Sequence, residues 1–322
     1  MSTQPEMASF VERFDHLVGN VSRVMHGKHQ VVRAALTCVV AEGHLLIEDV
    51  PGVGKTSLAR AIAASVALTW NRIQFTPDLL PSDVTGVSVF DQSTATFSFR
   101  PGPVFANVVL ADEINRASPK TQSALLEVMQ ERTVTTDATV YQVPRPFVVV
   151  ATQNPIDLEG TYVLPEAQLD RFTMRLAVGY PGPEAEAQVL RAEKDEAAVT
   201  HLAPVMSGDD LVAMSDFVKQ AVEVAPAIEG YIVAICAHTR ELPEVRLGVS
   251  PRGGLAVLRA ARVTAAADGR TFVTPDDVKA VAEATLAHRV LLRPDAELQG
   301  RTAADVIARA LQAVAVPRTL LR

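Results

Sequence analysis

Asp49-Val50-Pro51-Gly52-Val53-Gly54-Lys55-Thr56 is the stretch on which the reading of the fold turns. It follows the apolar run His44-Leu45-Leu46-Ile47 and precedes a helical run from Ser57 to Ala67, so the order is strand, loop, helix. Glycines let successive backbone N–H groups converge into a nest for phosphate oxygens at the positive end of the next helix. In that context Lys55 reaches toward β- and γ-phosphates, and the Thr56 hydroxyl is a ligand for Mg²⁺. One position departs from the pattern G-x-x-x-x-G-K-[ST]: Asp49 stands where the first glycine belongs. By itself, then, the loop leaves open a glycine-rich turn that happens to carry a lysine.

Outward from the loop, short aliphatic runs alternate with helical stretches. The runs are Arg72-Ile73-Gln74-Phe75, Asn107-Val108-Val109-Leu110-Ala111, Phe147-Val148-Val149-Val150-Ala151 and Met174-Arg175-Leu176-Ala177-Val178. Near-continuous apolar strands between helices predict a parallel sheet covered on both faces. Two stretches alternate around polar turns instead, over residues 87–99 and 133–143, and predict β-hairpins set into the α/β frame. After Tyr180-Pro181-Gly182-Pro183 the chain becomes Ala-rich and helical, with starts at Ser250-Pro251 and Thr274-Pro275-Asp276-Asp277. The expected organisation is an α/β nucleotide-binding core over residues 1–180 and an all-α lid domain over residues 181–322.

The strand Val108-Val109-Leu110-Ala111 ends in Asp112-Glu113. Carboxylates at the C-terminal end of a buried strand emerge where ligands bind in α/β sheets. Asp112 is the candidate for the Mg²⁺ shell and Glu113 for the general base that polarises water. Beyond the next strand lies Asn154, a candidate hydrogen-bond donor to the water or the γ-phosphate. Arg171 and Arg252 are always charged and carry a rigid fork of donors suited to a transferring phosphoryl group.

Composition narrows the class. The 322 residues are 48% hydrophobic and 21% charged, as in ordinary globular proteins. A net charge of −7 argues against a dedicated nucleic-acid coat. No apolar run approaches the roughly 20 residues that cross a bilayer, and the N-terminus lacks the features of a signal peptide. Cys38 and Cys236 are far apart without metal-type spacing, which reads as two thiols in a reducing compartment. The expected setting is cytoplasmic. His26 and His29 share a helical spacing but have no third ligand nearby, so zinc is not expected.

Taken in order, the motifs resemble those of the MoxR family of AAA+ ATPases along nearly the whole chain. The resemblance rests on residues 43–56, 72–83, 111–117, 151–155, 159–162 and 164–172, together with Ser250-Pro251-Arg252. Asp49 is usual in that family. The resemblance implies an AAA+ core with a five-stranded parallel sheet, two inserted hairpins and a helical lid, binding ATP and Mg²⁺ between the subunits of a homo-oligomeric ring, typically a hexamer. Asp49, Pro51, Gly52, Val53, Gly54, Lys55, Thr56 and Ser57 would cradle the phosphates, and Met25-His26-Gly27 would flank adenine. Asn154 looks like sensor 1, Arg252 like sensor 2, in cis or in trans, and Arg171 like the arginine finger. Arg116 would face the subunit interface. The hairpins look like the helix-2 insert and the pre-sensor-1 hairpin.

The implied activity is ATP hydrolysis that remodels a client protein, with partners carrying a von Willebrand factor A domain and roles in enzyme maturation or cofactor insertion. Alternatives are the motor subunit of a metal chelatase, a DNA motor, disfavoured by the acidic charge, and a nucleotide-gated scaffold that does not hydrolyse.

Overall fold

The computed structural model describes residues 3–50, 52–93, 95–154, 162–192 and 202–317. Pro51 and residues 155–161, which carry part of the sequence motifs, lie outside the described residues. The central sheet is built from β1 (Leu45–Glu48), β2 (Trp70–Gln74), β5 (Val108–Asp112), β8 (Val148–Gln153) and β9 (Met174–Leu176). Their order is β2-β5-β8-β1-β9, and every neighbouring pair is parallel.

The aliphatic strands explain themselves by the two-residue period of a pleated strand. Leu45, Ile47, Val108, Leu110, Val148 and Val150 face one apolar cluster. Their alternates Leu46, Val109, Ala111, Val149 and Ala151 face the other. Both faces are therefore covered, and such strands show no polar alternation. On the first face lie α1 (Thr3–Ser22), α2 (His29–Val40) and α3 (Lys55–Ser65). The second is closed by α4 (Pro81–Thr85) and α5 (Pro119–Glu131), the start of α5 being capped by Ser118 accepting from Thr121 N, and α6 (Glu166–Leu169) precedes β9.

Both hairpins form. β3 (Gly86–Asp91) pairs antiparallel with β4 (Thr96–Pro101), and β6 (Thr133–Thr136) with β7 (Thr139–Gln142). Gly86 has φ +102, and a Cβ there would meet Arg100 O at 2.3 Å, so the hairpin base closes only around a glycine.

The C-terminal part carries α7 (Pro183–Ala192), α8 (Gly208–Ala221), α9 (Pro226–Glu241), α10 (Pro251–Ala267), α11 (Pro275–Leu286), α12 (Pro294–Leu298) and α13 (Ala303–Ala313). The two predicted starts are caps in fact. Ser250 accepts from Gly253 N, and Thr274 forms a reciprocal capping box with Asp277. The lid is not wholly α-helical: β10 (Val245–Leu247) pairs with β11 (Leu291–Leu292). Strands of two or three residues are too short to leave a period in the sequence. The N-terminal helix α1 packs on α10 as well as on α2 and α3, so the apolar cluster runs without a break from the sheet into the lid.

Candidate active site

The phosphate loop leaves the C-terminal end of β1 and turns into α3 through Gly54, whose φ of 92 a side chain would strain. Gly52 also has positive φ, and a Cβ there would meet nothing within 4 Å, so the space above the loop is open. Lys55 Nζ donates to Asp49 O at 2.6 Å. Burial lowers the pKa of Lys55, against the pull of Asp112, Asp49 and Glu113 nearby. Thr56 and Ser57 follow in the first turn of α3.

The Asp49 side chain takes up backbone N–H groups. Its Oδ1 accepts from Val50 N at 2.8 Å and its Oδ2 from Gly179 N at 2.5 Å. Gly179 lies where the core runs out toward the lid, and Lys28 Nζ donates to the neighbouring Tyr180 O. Met25 is buried close to the loop, its Cε 3.6 Å from where a Gly54 Cβ would stand. Gly27, at φ +69, approaches Ala185 of α7. Met25, His26 and Gly27 thus form a strap between the phosphate loop and α7.

Asp112 and Asn154 emerge at the same C-terminal edge of the sheet and are both buried. Asp112 Oδ1 accepts from Thr152 Oγ1 at 2.6 Å, and its Oδ2 accepts from Arg72 Nη2 at 2.6 Å. Glu113 sits in the left-handed region at φ 56, rare for a residue with a side chain and a form of strain that concentrates at functional sites. Its backbone N–H donates to Thr152 Oγ1, and its Oε2 accepts from Gln74 Nε2 and lies 3.0 Å from Arg116 Nε. Sequence reasoning missed Arg72, Gln74 and Thr152. Arg72 and Gln74 share one side of β2 by the two-residue period, and that polar pair on an otherwise strand-like run was the available signal.

The residues present suit Mg²⁺. Thr56 and Asp112 offer hard oxygen donors. Among the described residues no group of three or more His, Cys, Asp or Glu side chains forms an all-protein metal cage. Mg²⁺ in nucleotide sites is held by one or two protein oxygens together with waters and phosphates.

Arg171 and Arg252 stand elsewhere. They line a cavity of about 350 Å³ with Arg132, Arg259, Asp170 and Arg289. His44 and Thr173, the residues just before β1 and β9, also line it, so it opens at the N-terminal edge of the sheet. Burial and the neighbouring Arg252 lower the pKa of Arg171. Among the described residues none from the phosphate loop lines this cavity. The four residues of β1 separate the two sites, roughly 13 Å at 3.3 Å per residue.

A phosphate loop with paired acids at the carboxyl edge of a parallel sheet, followed by a helical lid, defines an AAA-type nucleotide-binding module. Residues 44–174 match the family described as ATPase family associated with various cellular activities (AAA), and residues 237–310 match the AAA lid domain. The uncharacterized protein YeaC of Bacillus subtilis is 49% identical over 93% of this chain and 93% of its own. Chaperone MoxR1 of Mycobacterium tuberculosis is 40% identical over 97% of this chain and 84% of its own. A crystal structure of a proposed ATPase from Cytophaga hutchinsonii superposes with a TM-score of 0.90 at 34% identity, covering 98% of both chains. The chain belongs to the MoxR family of AAA+ ATPases.

Proposed function

We propose that this chain hydrolyses ATP to ADP and phosphate with Mg²⁺, as a homo-oligomeric ring in the cytoplasm that remodels a client protein complex. One observation carries the ring: Arg171 and Arg252 share a cavity at the sheet edge opposite Lys55, Asp112 and Glu113. Among the described residues none from the phosphate loop lines that cavity, which supports the reading that both act in trans on the nucleotide of a neighbour.

On nucleotide binding Lys55 Nζ exchanges the Asp49 carbonyl for the β- and γ-phosphates, and the backbone N–H groups around Gly52 and Gly54 receive the remaining oxygens. Thr56 and Asp112 would hold Mg²⁺, which would supply positive charge against the phosphates. Glu113 takes the proton of the attacking water at its carboxylate once Gln74 and Arg116 release it. Asn154, at the end of β8, orients that water or the γ-phosphate. Arg171 and Arg252 of the adjoining subunit stabilise the charge that develops.

Client contact falls to the β3–β4 hairpin, where Phe90 and Phe97 are exposed with ring centroids 5.1 Å apart. A partner with a von Willebrand factor A domain and a role in enzyme maturation remain the proposed context. Similarity to a MoxR chaperone along 97% of the chain favours this over a chelatase motor.

The test is subunit mixing. Arg171→Ala rings should bind ATP but lose about 10³-fold in turnover, the size of an arginine-finger contribution. Glu113→Gln rings should also be inactive. Mixed together, the two should regain activity, because an intact phosphate site then meets intact arginines across an interface. Absence of recovery refutes action in trans, and turnover by pure Glu113→Gln rings refutes the assigned base.

A further inference from the structure

Arg289 was not selected from the sequence, yet its side chain is 3% exposed and its guanidinium encloses the backbone on both sides of Arg171. Nε donates to Asp170 Oδ1 at 2.7 Å, and Nη2 donates to Asp170 O at 3.1 Å and to Phe172 O at 2.8 Å. Nη1 donates to Thr285 O of α11, and it lies 2.6 Å from His288 Nε2. With its fork so engaged, Arg289 lines the arginine cavity as a wall; it offers no donor to a phosphate there.

The same residue underlies Arg252. A Cβ on Gly253 would meet Arg289 Cδ at 2.9 Å and Val249 Cγ1 at 2.5 Å, so the first turn of α10 sits on the Arg289 stem because residue 253 is glycine. Ser250, the N-cap of α10, donates from Oγ to Asp170 Oδ2 at 2.9 Å. One carboxylate, Asp170, thus joins the residue before Arg171 to the turn that carries Arg252. His288 adds a contact of 3.0 Å between Nε2 and Phe172 O.

We propose that Asp170, Ser250 and Arg289 are positioning residues that hold Arg171 of the core and Arg252 of the lid as one rigid unit presented to the neighbouring nucleotide. The Arg289–Asp170 pair is part-buried, and such a pair is weak evidence for stability, which leaves the geometry it imposes as the role proposed for it. The planar fork matters: a lysine would keep the charge but could not serve Asp170 Oδ1, Asp170 O, Phe172 O and Thr285 O together. The proposal rests on Arg171 and Arg252 acting in trans.

The experiment uses full-length Arg289→Lys and, as the milder change, Ser250→Ala, each checked for folding by circular dichroism and for assembly by gel filtration. Arg289→Lys should lower kcat about 100-fold, the scale of a displacement near 1 Å, with little change in the Kd for MgATP. Mixing with Glu113→Gln subunits should restore turnover, since those subunits supply correctly held arginines while the variant supplies a sound phosphate site. Ser250→Ala should show the same pattern with a smaller loss. Wild-type kcat in both variants overturns the proposal, as does a loss that mixing does not restore. An Arg171→Ala plus Glu113→Gln mixture run alongside separates the causes. If that control recovers and the Arg289→Lys mixture does not, positioning is refuted while action in trans stands; if neither recovers, the reading beneath it fails.

Discussion

Arg72 donates to Asp112 Oδ2 through both Nη2, at 2.6 Å, and Nε, at 3.1 Å, so the carboxylate proposed for Mg²⁺ is already paired with a cation. If Asp112 holds Mg²⁺ as proposed, Arg72 competes with the metal for it whenever nucleotide is absent. The arginine is about half exposed, which limits the pair to about 1 kcal/mol, or roughly five-fold in an equilibrium. Arg72→Gln should lower by that factor the Mg²⁺ concentration for half-maximal ATP binding, measured by titrating Mg²⁺ against a fluorescent nucleotide. An unchanged or higher midpoint denies the competition.

Lys55 and Glu113 separate binding from chemistry. Lys55→Ala removes the ammonium proposed to meet the β- and γ-phosphates and should abolish nucleotide binding in equilibrium titration. Glu113→Gln keeps the shape, and still offers an oxygen to Gln74 Nε2, but removes the proposed base. It should bind ATP with near wild-type affinity and lose about 10²–10⁴-fold in turnover. Hydrolysis at the wild-type rate in Glu113→Gln would reassign the base.

How far these sites were legible depends on how far apart in sequence their parts lie. Lys55 and Thr56 stand within one loop, and Asp112 and Glu113 end one apolar strand, so local pattern was enough to nominate them. The hairpins and the caps at Ser250 and Thr274 are also local devices. Arg72 meets Asp112 only because β2 lies beside β5, with Gln74 in register with Asp112. Strand order is a property of chain crossovers, and no window of sequence contains it. The Asp170–Arg289 pair spans 119 positions and joins a core turn to a lid turn. In sequence Arg289 is one of many surface-like charges; its burial is what singles it out.

Glu42 ties the end of α2 to α8 and should make stability depend on acid. Burial opposes its ionisation, but hydrogen bonds from Lys219 of α8 and from Arg145, with Arg132 nearby, bring its pKa down to about 2 from 4.5. A depressed acid contributes stability that is fully present above the unfolded pKa and lost as pH falls through the folded one. The window is therefore pH 4.5 down to about 2, with up to about 3 kcal/mol at stake. Glu42→Gln should lower the urea midpoint at pH 7, and its difference from wild type should shrink through that window. A difference that stays constant with pH would mean the carboxylate charge is not the source.

Phe99 of β4 and Tyr141 of β7 stack with ring centroids 4.1 Å apart and planes 23° apart, so the two inserted hairpins touch through an aromatic pair. Phe99 is fixed from behind by Phe105, edge-on at 5.6 Å. The β6–β7 hairpin continues directly from α5, which starts a few residues beyond Asp112 and Glu113. Movement of that helix on hydrolysis would therefore carry β6–β7, and through Tyr141 also β3–β4. Stacked aromatic pairs contribute about 0.5–1.5 kcal/mol beyond burial. A double-mutant cycle with Phe99→Leu and Tyr141→Leu, read by urea unfolding, should give a coupling energy in that range. Strict additivity would show that each ring packs on its own hairpin alone, and the route from the acids to the exposed Phe90–Phe97 pair would have to run elsewhere.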